Sequence, residues 1–210
     1  MEKIKSITIQ DNEEYLRQIS LPIDIENDPI EDYINILEQY CNENLVHAMA
    51  AVQLGIPKRI IYMRNTNFDQ VKKWINNEIS DEEEQKVNER RILINPVITK
   101  KEGLTEYWEG CASCLDNIGR VLRPYKLNVE YYDIYGNKHN EIFEGFEATV
   151  LCHEMDHLDG ILHMDIAEEV IVMEKEERKI FRQTHSYEVF EKEGDYETLK
   201  KQYKGFVKEQ

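Results

Sequence analysis

The chain has 210 residues, 42 of them acidic and 26 basic, for a formal net charge of −16. That length can bury a hydrophobic core without disulfide staples, and 41% apolar with 32% charged residues fits a folded chain rather than a disordered one. So large an acidic excess argues against broad binding to a nucleic-acid backbone, which needs clustered Lys and Arg, and gives no support for an anionic membrane surface. The opening MEKIKSITIQDNEE lacks the apolar core of a secretory signal, and no run reaches transmembrane length. A cytoplasmic protein is therefore expected. In that compartment Cys41, Cys111, Cys114 and Cys152 read as buried thiols or metal ligands rather than as a disulfide framework.

Taken in chain order, NDPIEDYINILEQYCNENL supplies Asp28 as an N-cap, Pro29 at the first helical position and Glu31 as a capping-box partner. Ile30, Tyr33, Ile34, Leu37, Tyr40 and Cys41 recur at helical spacing, which predicts an amphipathic helix with Cys41 on its apolar face. KRIIYM and RILINPVI are short β-branched runs that read as strands. The polar stretch between them, residues 66–91, reads as a partly helical surface insertion. LTEYWEG and YKLNVEYYDIYGN are strand-like, and YGN offers the turn chemistry for a hairpin into KHNEIFEG. GFEATVLCHEMDHLDG reads as a helix ended by Gly160. From residue 168 to 210 the chain is densely charged, and one or two helices lying against the body are expected there. The body itself, residues 1–167, reads as one domain.

CHEMDH, residues 152–157, spaces His153 and His157 four apart, with Glu154 after the first. On a helix the two imidazoles share one face, and Glu154 projects about 100° away, within reach of a water on the same ion. Such a site needs a third protein ligand. Glu168, Glu169 and Glu174 are available downstream, as in many HExxH proteases, but they sit among many carboxylates. Upstream, EGCASC offers Cys111 for a Cys–His–His set. It also offers Cys114, which with Cys111, His153 and His157 would make a closed structural Cys2His2 zinc site.

Three segments in order, HAMAAVQLGIPKRI, EGCAS and HEMDHLDGIL, resemble the signature motifs of the peptide deformylases, which run as GxGxAAxQ, EGCxS and QHExDH. The likeness spans about Leu16 to Asp165. It implies an α+β fold of antiparallel sheets around the HExxH helix, to which the chain-order reading adds an N-terminal helix and a charged, helical C-terminal extension. It also implies removal of the formyl group from N-formylmethionine on nascent chains, with release of formate. Residue by residue, Cys111, His153 and His157 match the metal ligands and Glu154 the general base. Gln53 and the backbone N–H of Ala112 match the donors to the oxyanion. His47, Phe146, Thr149 and Val150 match the methionine pocket. Glu109 and Arg123 stand where they would pair to hold the Cys111 strand, and Asp156 reads as a supporting or helix-surface residue. One divalent ion is implied: ferrous iron in the cell, with zinc, nickel and cobalt also suited to the ligands. The partners implied are formylmethionyl peptides and, transiently, the ribosome, with no membrane and a monomeric chain.

Five positions depart from the family pattern. Val46 and Ala48 replace the two glycines of the first motif, His47 stands where an apolar residue is usual, Cys152 replaces the glutamine before the first histidine, and Ala112 is smaller than usual. None removes a ligand, the base or the oxyanion glutamine. They leave open a second reading, in which the chain has kept the fold while shifting substrate or only binding formyl-peptides. A metalloprotease is disfavoured by the upstream cysteine ligand.

Overall fold

The structure is a computed structural model. It describes residues 3–44, 46–64 and 90–208 with Lys73 and Ser80, and side chains as far as Tyr203. The expected surface insertion at 66–91 falls outside the described residues except for Lys73, Ser80, Arg90 and Arg91.

A short helix α1, Ile9–Leu16, starts the fold. Its Thr8 N-cap and Asp11 form a reciprocal capping box. Helix α2, Ile30–Asn44, buries Ile34, Leu37, Tyr40 and Cys41, the face that the helical spacing marks. Asp28 acts differently from expectation. Its carboxylate takes the Lys58 ammonium at 2.7 Å and the Asp24 N–H at 2.7 Å, and so ties the loop before α2 to the body.

The strands are β1 (Ala48–Ala50), β2 (Ile60–Arg64), β3 (Arg90–Gly110), β4 (Asn117–Arg123), β5 (Lys126–Tyr132), β6 (Lys138–Glu144), β7 (Glu169–Val172) and β8 (Glu188–Asp195). All join one eight-stranded antiparallel sheet rather than the several sheets expected. The join is β3. RILINPVI and LTEYWEG, read as separate strands, are the two halves of this one long strand. Its first half pairs with β2 and β5 and its second with β4 and β8.

Helix α3, Phe146–Leu158, carries CHEMDH. It packs Ala148, Leu151, Cys152, Met155 and Leu158 against Ile61, Met63, Leu93, Leu127, Val129 and Phe143 of the sheet. Burial of each large aliphatic or aromatic side chain there stabilises the fold by about 1.5–3 kcal/mol. Gly160 ends the helix at φ 72°. A Cβ at that position would lie 2.2 Å from the Arg17 carbonyl oxygen, so the tail of α1 and the end of α3 approach as closely as only glycine permits.

The charged C-terminal segment corrects the helical expectation. After α4 (His163–Ile166) it alternates strand and helix: β7, α5 (Lys175–Thr184), β8 and α6 (Tyr196–Lys208). Strand β7 extends the sheet beside β4, and β8 adds to β3.

Candidate active site

Strand β3 and helix α3 bring the sulfur and the imidazoles together. Cys111 follows the last residue of β3, and the chain then turns tightly over Ala112–Cys114, where the Ser113 N–H points to the Cys111 sulfur at 3.4 Å. His153 and His157 sit one turn apart on α3, with ring centroids 4.9 Å apart. One donor atom from each of Cys111, His153 and His157 lies within 4.8 Å of the others, and the Cys111 Sγ to His157 Nε2 separation is 3.2 Å. Cys114 is not part of this group. It is fully buried beside Leu16 and Leu162, which leaves the closed Cys2His2 arrangement unformed.

The surroundings prepare these donors for a cation. His153 Nδ1 bonds Glu109 Oε2 at 2.8 Å, which fixes the ring and leaves Nε2 for an ion. Burial opposes charge on His153, yet Cys111 and Glu109 outweigh it and hold the imidazole well above its ordinary pKa. Burial instead pushes His157 down, towards the neutral form a ligand needs. Three donor atoms this close together, one sulfur and two imidazole nitrogens, form a set of the kind that holds a catalytic divalent ion.

Glu109 is itself held. Arg123 donates to both its carboxylate oxygens, at 2.7 and 2.9 Å, and to Asp156 at 2.6 Å. Burial would raise the Glu109 pKa, but the Arg123 guanidinium overrides it and keeps the carboxylate ionised. Asp156 is thus a support of the network, not a solvated helical residue. The Glu109–Arg123 pair is the one that the resemblance implies, and the fold adds its contact with His153. The available signal was strand alternation, which sets Glu109 and Cys111, two residues apart, on one side of the chain.

A cavity of about 230 Å³ opens beside the ligands. His47, Phe146, Thr149 and Val150 all line it, as do Gln53, Ala112 and Glu154. Gln53 is braced by the Ala50 N–H on its carbonyl oxygen, and its amide nitrogen lies 3.4 Å from Cys111 Sγ and 3.1 Å from Ser113 Oγ. Glu154 is buried, and its Oε2 has no hydrogen-bond partner among the described residues. Burial pushes its carboxyl up to about 7, against the pull of His153. Cys152 is a buried core thiol. Val46 and Ala48 keep ordinary negative φ angles, so this backbone needs no glycine at either position.

Two residues near the site have no sequence signal. His163, on α4, packs its ring 5.7 Å from that of His153. Arg182, on α5, reaches the cavity wall from a segment whose density of charge hides any one residue.

Residues 4–172 match the family model described as polypeptide deformylase. The chain is 37% identical over 167 residues to a peptide deformylase of Pelagibacter ubique, covering 77% of this chain and 85% of that protein. It is 36% identical over 160 residues to peptide deformylase 2 of Clostridium acetobutylicum, covering 76% and 93%. Among solved structures it is similar to a peptide deformylase of Synechococcus elongatus in complex with actinonin, at a TM-score of 0.65 and 27% identity over 80% of this chain and 83% of that one. A probable peptide deformylase from Synechococcus phage S-SSM7 superposes at a TM-score of 0.61 with 30% identity, over 78% and 99% of the two chains.

Proposed function

We propose, from the premise that this chain belongs to the peptide deformylase family, the roles its own residues play in removing the formyl group from N-formylmethionyl peptides. The chain is an enzyme of that family, hydrolysing the formamide to formate and a free α-amine. Cys111, His153 and His157 are the residues that would hold the metal. When bound, a divalent ion supplies Lewis acidity to the water and to the formyl oxygen. We read ferrous iron as the ion used in the cell, with zinc, nickel or cobalt able to satisfy the same donors.

Glu154 takes a proton from the attacking water and returns it to the departing amine. A carboxyl with a pKa of about 7 suits both halves of that transfer. The side-chain N–H of Gln53 and the backbone N–H of Ala112 donate to the oxygen that gains charge. Glu109, tied to Arg123, keeps His153 in one tautomer and orientation. His47, Phe146, Thr149 and Val150 receive the methionine side chain. The observation that supports these roles is the meeting, in one cavity, of the three donor atoms with Glu154 and Gln53.

No helix among the described residues is long and apolar enough to cross a membrane. We read the chain as a cytoplasmic monomer that meets nascent chains near the ribosome. Residues 1–167 form its catalytic body and 168–210 an extension of the same domain.

The decisive experiment is Glu154→Gln in protein loaded with ferrous iron or nickel without oxygen. Formate release from a formyl-Met peptide should fall by about 100-fold or more, the usual cost of losing a general acid–base group, while metal content stays at the parent level. Undiminished turnover would remove Glu154 from its role.

A further inference from the structure

The family match ends at residue 172, and α5 lies beyond it. This helix is pinned against the outer edge of the cysteine turn. Arg178 donates to the carbonyls of Met173 and Leu115 and to Asp116, and the Phe181 ring meets Trp108 edge-on at 5.1 Å. One turn after Arg178, on the same helical face, Arg182 reaches the wall of the active-site cavity.

Its guanidinium lies 5.3 Å from the centre of the Tyr107 ring, and Nη2 donates to the Trp108 carbonyl at 3.0 Å. Nε is buried with no partner among the described residues. Other buried or half-buried cations nearby have carboxylates: Arg123 has Glu109, and Arg178 has Asp116. Arg182 has none among the described residues. In a chain with 16 excess negative charges, a cation facing a substrate cavity without an acid of its own is a docking point for an acid from outside. The cavity's two acidic side chains are already in use, Glu109 by Arg123 and His153, and Glu154 by the chemistry.

We propose that Arg182 is a specificity-determining residue that binds a substrate carboxylate one or two residues beyond the formylmethionine. This rests on the deformylase reading and adds a substrate preference to it. The reach is right. A Cβ on Gly110, the residue before Cys111, would lie 3.4 Å from Arg182 Nη2, so the guanidinium stands beside the wall next to the metal seat. An extended peptide rises about 3.3 Å per residue, which brings its second or third residue to that wall. The unused N–H groups of Arg182 suit the planar, charge-assisted pairing that arginine makes with carboxylates. The carboxylate comes either from an Asp or Glu side chain or from the free terminus of a very short peptide.

The test uses the full chain, metal-loaded, and compares kcat/KM for formate release. One peptide pair is formyl-Met-Glu-Ala-amide against formyl-Met-Gln-Ala-amide; the other is formyl-Met-Ala-Ala as free acid against its amide. A carboxylate bonded to arginine should favour the acidic member of at least one pair by about tenfold, and the pair that responds identifies the source. The preference should shrink as salt rises. Arg182→Gln should bring the ratio close to one, Arg182→Lys should retain part of it, and Arg182→Glu should turn it towards a formyl-Met-Lys peptide. Equal rates for both pairs in the parent, or a preference that survives Arg182→Gln or Arg182→Glu, overturns the proposal. Should Arg182→Gln fail to fold, the lysine variant and the salt dependence of the parent decide it. No formate from any of the peptides, with metal fully bound, sinks the deformylase reading itself.

Discussion

Glu109 links the metal seat to the interior of the fold, because one carboxylate meets both Arg123 and His153. Glu109→Gln keeps the shape but leaves Arg123 with only Asp156, and it loosens His153. Loss of one partner from a buried ion pair costs about 3–5 kcal/mol, and disturbing a ligand's support lowers metal affinity by about 10–100-fold. Urea unfolding and a chelator competition should show both effects; unchanged metal affinity would mean that Glu109 does not orient His153. His47 makes a separate, pH-dependent prediction. Burial, with Arg64 nearby, pushes its pKa down from the ordinary 6.5 to about 4. The unfolded chain takes up a proton below 6.5 that the folded chain refuses until about 4, so this group costs stability as pH falls through that interval. His47→Gln should therefore lose less stability than the parent between pH 7 and pH 5, as measured by denaturant midpoints. Equal losses would show that His47 does not set that slope. At this scale the ligands and Glu154 were legible because they fall in short, spaced motifs. The grip of Glu109 on His153 lies 44 residues apart in sequence and needed the fold to appear.

Helix α3 is a framework for the site because its end is fastened as well as its buried face. The Ser20 N–H donates to the Leu158 carbonyl, Arg17 pairs with Asp165 through two bonds, and Arg59 pairs with Asp159. Gly160→Ala places a side chain where φ is 72° and where the Arg17 carbonyl is already closest, so it should cost about 2–3 kcal/mol. It should also weaken metal retention, since His157 lies three residues upstream. A denaturant midpoint equal to the parent's would show that the close approach relaxes at no cost. Helices α2 and α3 and the hairpin of β5 and β6 could be read from apolar spacing and turn residues. Strand β8 could not. All eight of its residues are exposed and five of them are charged, so no alternation betrays it, and its place in the sheet is set by pairing with β3. The two halves of β3 looked like separate strands because LINPVI and LTEYW are divided by the polar Thr99–Gly103, while the bulges that bend the strand leave no sequence pattern.

Across the whole molecule, the C-terminal segment is built into the body rather than attached to it. Tyr196 is buried against Leu104 and Leu122, and its hydroxyl donates to the Leu122 carbonyl at 2.8 Å. Strand β4, to which Leu122 belongs, also carries Arg123 of the metal-site network. Loss of Tyr196 packing should therefore be felt by the entire fold. Tyr196→Ala removes a buried ring and a hydrogen bond, a change expected to cost about 3–5 kcal/mol. The unfolding transition should shift as a unit, with far-ultraviolet circular dichroism and tryptophan fluorescence still coincident and the denaturant slope unchanged. A separate early transition for the C-terminal segment, with the remainder melting as in the parent, would instead make that segment an independent appendage. The Arg182 proposal depends on the same coupling, because α5 sits between two strands that hold the segment to the sheet. A fold that melts as one unit keeps the guanidinium beside the cavity whenever the metal seat is formed.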